Sequence, residues 1–281
     1  MNFKELKHHF VKAISPVYGS EEALFIFYIA LEYFKKWNKN DFIRYLDDLV
    51  SEQEETKFKV VINDLKNGIP IQHVVGETFF YGLKFHVNPS VLIPRPETEE
   101  LVEWVLSKSS AEKNLKNVLD VGTGSGCIAI SLKKNSPSMT VSALDISSAA
   151  LTVAKSNSLL NHAEVNFIEA DIFSYSSNLI FDVIVSNPPY IKEEEKADMH
   201  QNVLDHEPHL ALFVENNQPL LFYIAIADFA KRNLRSGGLL FFEINEFLPL
   251  ETMDMLNSKG FKDVELKKDL NGKNRMICCA L

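Results

Sequence analysis

Val118-Leu119-Asp120-Val121-Gly122-Thr123-Gly124-Ser125-Gly126 is the stretch on which the reading of the fold turns. A short apolar run ends in three alternating glycines, and a helical pattern follows at about 126–134. Glycines at a strand–helix turn let the backbone approach a ligand closely, beside the N-terminus of the helix. Outward from this turn the chain alternates strand and helix. Strands are expected at 118–121, 141–145, 165–169, 181–185, 239–244, 264–266 and 276–279, with helices at about 147–160, 219–235 and 248–259. Such alternation with continuous apolar strands predicts an α/β fold whose mostly parallel, seven-stranded sheet is covered on both faces. The turn Asp269-Leu270-Asn271-Gly272 is too short for a parallel crossover, so the last two strands should pair antiparallel.

Upstream the texture differs. Residues 1–69 carry almost no strand signal, whereas 21–37 is apolar around most of a helical circumference. Phe42, Leu46 and Leu49 share one face, and Phe58, Val61, Ile62 and Leu65 recur at helical spacing. Asn67-Gly68 ends that helix and Pro70 prevents its continuation. The expectation is a small helical domain at 1–70, a β-hairpin linker at 71–93 and a catalytic domain at 94–281, its first helix at 97–108 with an acidic first turn.

The 281 residues are 46% hydrophobic and 24% charged, a composition that excludes disordered and disulfide-framed classes. A net charge of −9 disfavours sequence-independent duplex binding. The three cysteines, Cys127, Cys278 and Cys279, have no disulfide or C-x-x-C spacing, which fits a reducing compartment. The start has no apolar signal region, and the longest uncharged apolar run, Ala23 to Leu31, is far short of the ~20 residues of a membrane span. A cytoplasmic protein is expected.

The glycine spacing is G-x-G-x-G, unlike the G-x-G-x-x-G of dinucleotide binders, and Asp120 before it would repel a pyrophosphate. Asp145 ends the second strand 19 residues past Gly126, where a carboxylate can accept both ribose hydroxyls. Asp171 can accept an adenine N–H, with Ile172 or Phe173 packing on the ring. S-adenosylmethionine, a zwitterionic nucleoside carrying a sulfonium, suits this charge pattern. The fourth strand delivers Asn187-Pro188-Pro189-Tyr190 at the edge where open α/β sheets bind ligands. The prolines remove two donors and leave the Asn187 side chain and the Pro188 carbonyl as rigid acceptors, with the Tyr190 ring available for stacking. Two acceptors without a base suit a planar amino group whose nitrogen attacks a methyl: adenine N6, cytosine N4, guanine N2 or a glutamine amide.

Val91-Leu92-Ile93-Pro94-Arg95-Pro96-Glu97-Thr98-Glu99, with Gly76-Glu77, Phe80 and Gly82 before it and Asp269–Met276 after, narrows that choice. Over nearly its full length the chain resembles the release-factor glutamine methyltransferases, protein-(glutamine-N5) methyltransferases that act on the Gly-Gly-Gln motif of bacterial class I peptide chain release factors. Enzymes that methylate a ribosomal-protein glutamine share the Asn-Pro-Pro-Tyr loop but typically carry Arg-Ser-Pro where this chain has Arg95-Pro96-Glu97. The resemblance implies a class I, Rossmann-like methyltransferase with a helical domain and hairpin that hold the release factor. It implies that Gly122, Thr123, Gly124, Ser125, Gly126 and Asp145 bind S-adenosylmethionine, released as S-adenosylhomocysteine, with Ile172 at the adenine. It implies that Asn187, Pro188, Pro189 and Tyr190 grip the substrate amide, Asn187 also lying near the methyl donor. The alternatives are a nucleic-acid amino-methyltransferase, the ribosomal-protein enzyme, and a non-catalytic translation-factor binder.

No metal is expected: His200, His206 and His209 near Glu207 lack H-E-x-x-H spacing. Glu193-Glu194-Glu195-Lys196 reads as a solvated face, Cys127 as a small buried side chain, and 191–213 as a long, substrate-covering connection.

Overall fold

A computed structural model of the chain describes residues 1–111, 115–198 and 201–281. Two compact units are present, divided after Gly76.

The first unit is helical. Helices α1 (Phe3–Tyr18), α2 (Ser20–Lys35), α3 (Lys39–Arg44) and α4 (Glu52–Lys66) are followed by the single turn α5 (Ile71–Val75). Capping boxes start three of them: Asn2 with Glu5, Asn38 with Asp41 and Ser51 with Glu54. Each satisfies backbone donors that the first helical turn leaves without partners. Phe10, Phe27 and Phe58 meet edge to face or tilted, with centroids 5.5–6.0 Å apart, at the centre of the core. The short helix α9 (Gln201–His206), from far along the chain, belongs to this unit. There Asn202 Nδ2 donates to the Tyr18 hydroxyl at 3.2 Å, and His206 Nε2 lies 3.3 Å from the Asn67 carbonyl.

Two local expectations change. The pattern of Phe42, Leu46 and Leu49 does not make one helix, because the backbone at 46–50 pairs with the chain's start instead. Lys4 N–H donates to the Leu46 carbonyl at 2.9 Å and Val50 N–H to the Met1 carbonyl at 3.0 Å, leaving Leu49 83% exposed. Residues 71–75, expected as part of a hairpin, form α5, because Pro70 and the left-handed Gly76 bracket one helical turn.

The second unit begins with the hairpin β1 (Glu77–Phe80) and β2 (Leu83–His86). Tyr81 and Gly82 both have positive φ, 50° and 72°, so the two-residue turn has the backbone sense that suits a twisted hairpin. Then follow α6 (Pro96–Ala111), β3 (Asn117–Val121), α7 (Cys127–Asn135), β4 (Thr140–Asp145), α8 (Ser148–Leu160), β5 (Asn166–Glu169) and β6 (Phe181–Ser186). The two-residue strands β7 (Ile191–Lys192) and β8 (Phe213–Val214) pair with each other within the long connection. Last come α10 (Leu221–Asn233), β9 (Leu234–Glu243), α11 (Pro249–Ser258), β10 (Lys262–Lys268) and β11 (Asn274–Ala280).

The seven-stranded sheet has the order β10-β11-β9-β6-β3-β4-β5. Strands β3, β4, β5, β6 and β9 run parallel, and β11 is antiparallel to both its neighbours. This is the α/β architecture expected, with the antiparallel pair where the Asp269–Gly272 turn requires it. All parallel strands deliver their carboxyl ends to one edge, which collects the glycine turn, Asp145 and Asn187.

The hairpin is more than a connector. Phe80 and Phe85, 1% and 0% exposed, enter the core under α6 and α7. Asn157 on α8, fully buried, accepts the His86 N–H at 2.6 Å and donates to the carbonyls of His86 at 3.0 Å and Ser125 at 2.9 Å. One amide therefore ties β2 to the glycine turn. Asn157→Leu strands all three backbone groups at similar side-chain volume, so it should cost about 2–4 kcal/mol in denaturant unfolding. A loss below about 0.5 kcal/mol would show that the tie is not structural.

Candidate active site

The glycine turn leaves β3 over the end of β4, where the N–H groups of Gly122 and Thr123 donate to the Leu144 carbonyl at 2.8 and 3.0 Å. Gly122, Gly124 and Gly126 all have positive φ, at 73°, 54° and 83°. A Cβ on Gly122 or Gly124 would meet nothing within 4 Å, so these two present bare backbone to open space. A Cβ on Gly126 would lie 2.8 Å from Ile130 Cδ1 and 3.2 Å from Ala154 Cβ, so this glycine serves helix packing. Thr123 and Ser125 are buried, at 5% and 2% exposure, and offer a ligand their backbone rather than their side chains.

Asp145 lies beside the turn. Its Oδ2 accepts the Gly124 N–H at 2.8 Å and its Oδ1 the Ser147 N–H at 2.9 Å. It is half-buried, and each oxygen retains a lone pair for a further donor such as a ribose hydroxyl. Asp171 carries a tight turn, Oδ1 accepting the Phe173 N–H at 3.0 Å. Ile172 is 9% exposed and packs into the core beneath α10, while Phe173 stays 48% exposed and contacts the Phe222 ring at 5.1 Å. Of this pair, Phe173 holds the accessible ring. The open backbone at Gly122 and Gly124 beside the Asp145 carboxylate fits a nucleoside whose ribose needs acceptors.

Asp120, fully buried before the turn, accepts the Thr123 hydroxyl at 2.6 Å and the Ala129 N–H at 3.3 Å through Oδ2. Among the described residues its Oδ1 has no hydrogen-bond partner. Burial, against these hydrogen bonds, pushes the carboxyl up to about 7, and nearby Asp145 adds to the rise. Loss of hydration also pushes the Cys127 thiol up to about 12, so it remains a neutral thiol.

At the end of β6, Pro188 is buried and Asn187, Pro189 and Tyr190 are half-buried. Asn187 Nδ2 donates to Thr98 Oγ1 at 3.2 Å, and the Thr98 hydroxyl donates to Glu243 Oε2 at 2.6 Å. The Tyr190 hydroxyl is committed too, donating to Glu243 Oε1 at 3.1 Å, and Asn245 Nδ2 donates to the Tyr190 carbonyl at 3.0 Å. Burial raises the Glu243 carboxyl, while the hydroxyls of Thr98 and Tyr190 and the Arg275 guanidinium pull the other way. Burial also raises the Tyr190 phenol, beside Glu243.

The 93–99 segment acquires a structural account. The Ile93 N–H and Arg95 Nη2 both reach the Glu207 carboxylate, at 3.2 and 2.5 Å, and Glu99 Oε1 accepts the Tyr81 N–H of the hairpin turn at 2.8 Å. Glu207 thus serves Arg95, and the His209 ring packs on Phe213 at 5.3 Å. His200 lies outside the described residues. Glu195 is partly structural, accepting from Asn245 Nδ2 at 3.2 Å. Sequence reasoning missed Glu243, Asn245 and Asn157. A signal existed for the first: Glu243 closes the apolar run 239–242 as Asp145 closes β4, a carboxylate at the end of a parallel strand.

Comparison with known proteins speaks to family and fold. The family model described as the methyltransferase small domain matches residues 100–211, and that described as the PrmC N-terminal domain matches residues 9–76. A release factor glutamine methyltransferase of Flavobacterium psychrophilum is 47% identical, over 99% of this chain and 98% of its own length. Its counterpart from Bacteroides thetaiotaomicron is 44% identical, over 82% of this chain and 83% of its own. Among solved structures, the hMettl16 catalytic domain, in complex with a MAT2A 3′UTR hairpin, superposes with a TM-score of 0.56 at 15% identity, covering 82% of each chain. A methyltransferase from Pyrococcus furiosus gives 0.51 at 15% identity, covering 82% of this chain and 98% of that one. At such identities the likeness speaks to the fold, which is that of the class I methyltransferases.

Asp120 carries a pH prediction. Its folded value of about 7 lies above the usual 3.8, so the folded state holds this proton more tightly than the unfolded chain. Its stabilising contribution is complete below the unfolded value and is lost as pH rises through 7, about 4 kcal/mol in all. Denaturant unfolding at pH 5 and pH 8 should therefore show a smaller stability difference in Asp120→Asn than in the wild type. Parallel pH profiles would remove Asp120 as the cause.

Proposed function

This chain belongs to the release factor glutamine methyltransferase family, and from that premise we propose which of its residues perform the methylation and how. Its activity is transfer of a methyl group from S-adenosylmethionine to the side-chain amide nitrogen of the glutamine in the Gly-Gly-Gln motif of class I release factors. The arrangement of Asn187, with one end of its amide anchored on Thr98 and the other available, is the observation that carries the proposal.

The backbone of Gly122 to Gly126 and the Asp145 carboxylate would hold the cofactor, with Asp171, Ile172 and Phe173 serving its adenine. S-adenosylmethionine, when bound, supplies an electrophilic methyl on a sulfonium. Asn187 Oδ1 and the Pro188 carbonyl accept the two N–H groups of the substrate amide, and the Tyr190 ring packs against its plane. Held so, the amide cannot turn its N–H groups toward the methyl and presents nitrogen electron density instead. The amide proton becomes acidic only once the new N–C bond forms, so no strong base is required. Positioning and electrostatics supply the catalysis.

The helical unit and hairpin hold the release factor body, a role in keeping with a substrate too large for the pocket alone to recognise. The charge of −9 favours steering by a basic protein surface and opposes direct nucleic-acid binding. Among the described residues no helix is long and apolar enough to cross a membrane, and a cytoplasmic setting suits an enzyme of translation factors.

Transfer of labelled methyl to a purified release factor tests this reading, with its Gly-Gly-Gln→Gly-Gly-Ala variant, RNA and DNA in parallel. Label is expected in the unaltered factor alone, and label in nucleic acid would overturn the substrate. Asn187→Ala should lower the rate by at least about a hundredfold while cofactor affinity stays within about threefold. Asp145→Ala should weaken cofactor binding by about tenfold or more in calorimetry, and unchanged affinity would exclude its ribose role.

A further inference from the structure

Three groups from distant parts of the chain meet beneath the Asn-Pro-Pro-Tyr loop with their polar atoms in series. Thr98 lies in the first turn of α6 and is 3% exposed, and Glu243 ends β9 and is 2% exposed. Asn187 Nδ2 faces Thr98 Oγ1 at 3.2 Å, Thr98 Oγ1 faces Glu243 Oε2 at 2.6 Å, and Glu243 Oε1 faces the Tyr190 hydroxyl at 3.1 Å.

A carboxylate is acceptor only, and a hydroxyl has a single proton. The 2.6 Å contact is the Thr98 hydroxyl donating to a Glu243 carboxyl oxygen, within the span of a strong O–H···O bond. Thr98 therefore spends its proton on Glu243 and has only lone pairs left for Asn187. Of the two ends of the Asn187 amide, only the NH2 end can face a lone pair. The carbonyl end, Oδ1, must then point the other way. Without this chain of donors and acceptors the amide could rotate by half a turn, since its two ends are nearly equal in size. Rotation would aim N–H groups at a substrate that itself brings N–H groups, and the site would repel what it is built to hold.

We propose that Thr98 and Glu243 are positioning residues that set the polarity of the Asn187 amide, so that its oxygen faces the substrate nitrogen. The inference rests on the reading of Asn187 as the amide acceptor. It adds that a buried carboxylate, touching neither cofactor nor substrate, dictates that acceptor's orientation. The Tyr190 hydroxyl on the other oxygen of Glu243 holds the far end of the loop to the same group. Arg275, whose Nε donates to Asp269 Oδ2 at 3.1 Å, places a positive charge near Glu243 that works against the rise caused by its burial. Thr98 of the 93–99 stretch and Arg275 of the 269–276 stretch thereby both act at Glu243.

Glu243→Gln is the most direct test, because it keeps shape while adding an NH2 that can donate to Thr98. Thr98 is then free to donate to Asn187, and the amide can turn. Thr98→Val removes the relay at constant volume, and Thr98→Ser restores it. Steady-state transfer to release factor, with cofactor affinity by calorimetry, should show kcat down by at least about tenfold in Glu243→Gln and Thr98→Val. The KM for release factor and the cofactor Kd should stay within about twofold, and Thr98→Ser should recover to within about threefold of wild type. Wild-type kcat in Glu243→Gln or Thr98→Val overturns the proposal. So does a loss of cofactor affinity in step with kcat, or a failure of Thr98→Ser to recover activity, either of which marks a merely structural role. Asn187→Ala run in parallel separates the two readings. If it retains activity, the acceptor assignment itself fails, whereas an inactive Asn187→Ala beside a fully active Thr98→Val removes only the relay.

Discussion

Burying a carboxylate is expensive unless donors surround it, and Glu243 at the end of β9 imposes that demand on everything nearby. Thr98 and Tyr190 each bring a hydroxyl, and Arg275 brings a charge to the same place. The four residues come from α6, the loop after β6, β9 and β11, so satisfying one group fixes the relative placement of four segments. A site that works by holding a planar amide needs this kind of constraint more than it needs a strong acid or base. The cost of burying Glu243 is offset in part by these partners, which frame Asn187.

The glycine turn obeys the opposite logic. Gly122 and Gly124 are glycines because open space in front of them has to stay open, and Gly126 because Ile130 and Ala154 leave no room. Behind the turn Asp120 is fully buried, and among the described residues its Oδ1 has no hydrogen-bond partner. With its carboxyl raised to about 7, Asp120 ionises as pH rises, and its charge is then tolerable beside a cationic ligand and unfavourable beside phosphate. The polarity of the pocket is thus set from the interior, by a residue that presents little surface to it.

Much of this was legible in the sequence. The parallel strands announced themselves as apolar runs, and the residues that close them (Asp145, Asn187) stand at the edge where such sheets bind ligands. What could not be read was pairing across distance. Nothing local says that Thr98 meets Glu243, 145 positions away, or that Asn157 meets His86, 71 away. The helical pattern at 42–49 failed for a related reason: the chain's start claims that backbone by long-range hydrogen bonds, and periodicity cannot see them. Residues 71–75 failed because a β-branched, apolar run is ambiguous until Pro70 and Gly76 are seen to bracket a single turn.

The hairpin has an implication for how the protein assembles itself. Its strands pair locally through the Tyr81-Gly82 turn, but Phe80 and Phe85 lie in the core under α6 and α7, and Asn157 of α8 and its C-cap Asn161 grip the hairpin backbone. Such an element forms early and is completed late. The turn can close on its own timescale, whereas the hydrogen bonds from Asn157 and Asn161 come from 71 and 77 residues downstream. During synthesis the hairpin leaves the ribosome well before α8, with Phe80 and Phe85 not yet fully covered in the interval. The nascent chain in that window is the form of this protein most exposed to misassociation.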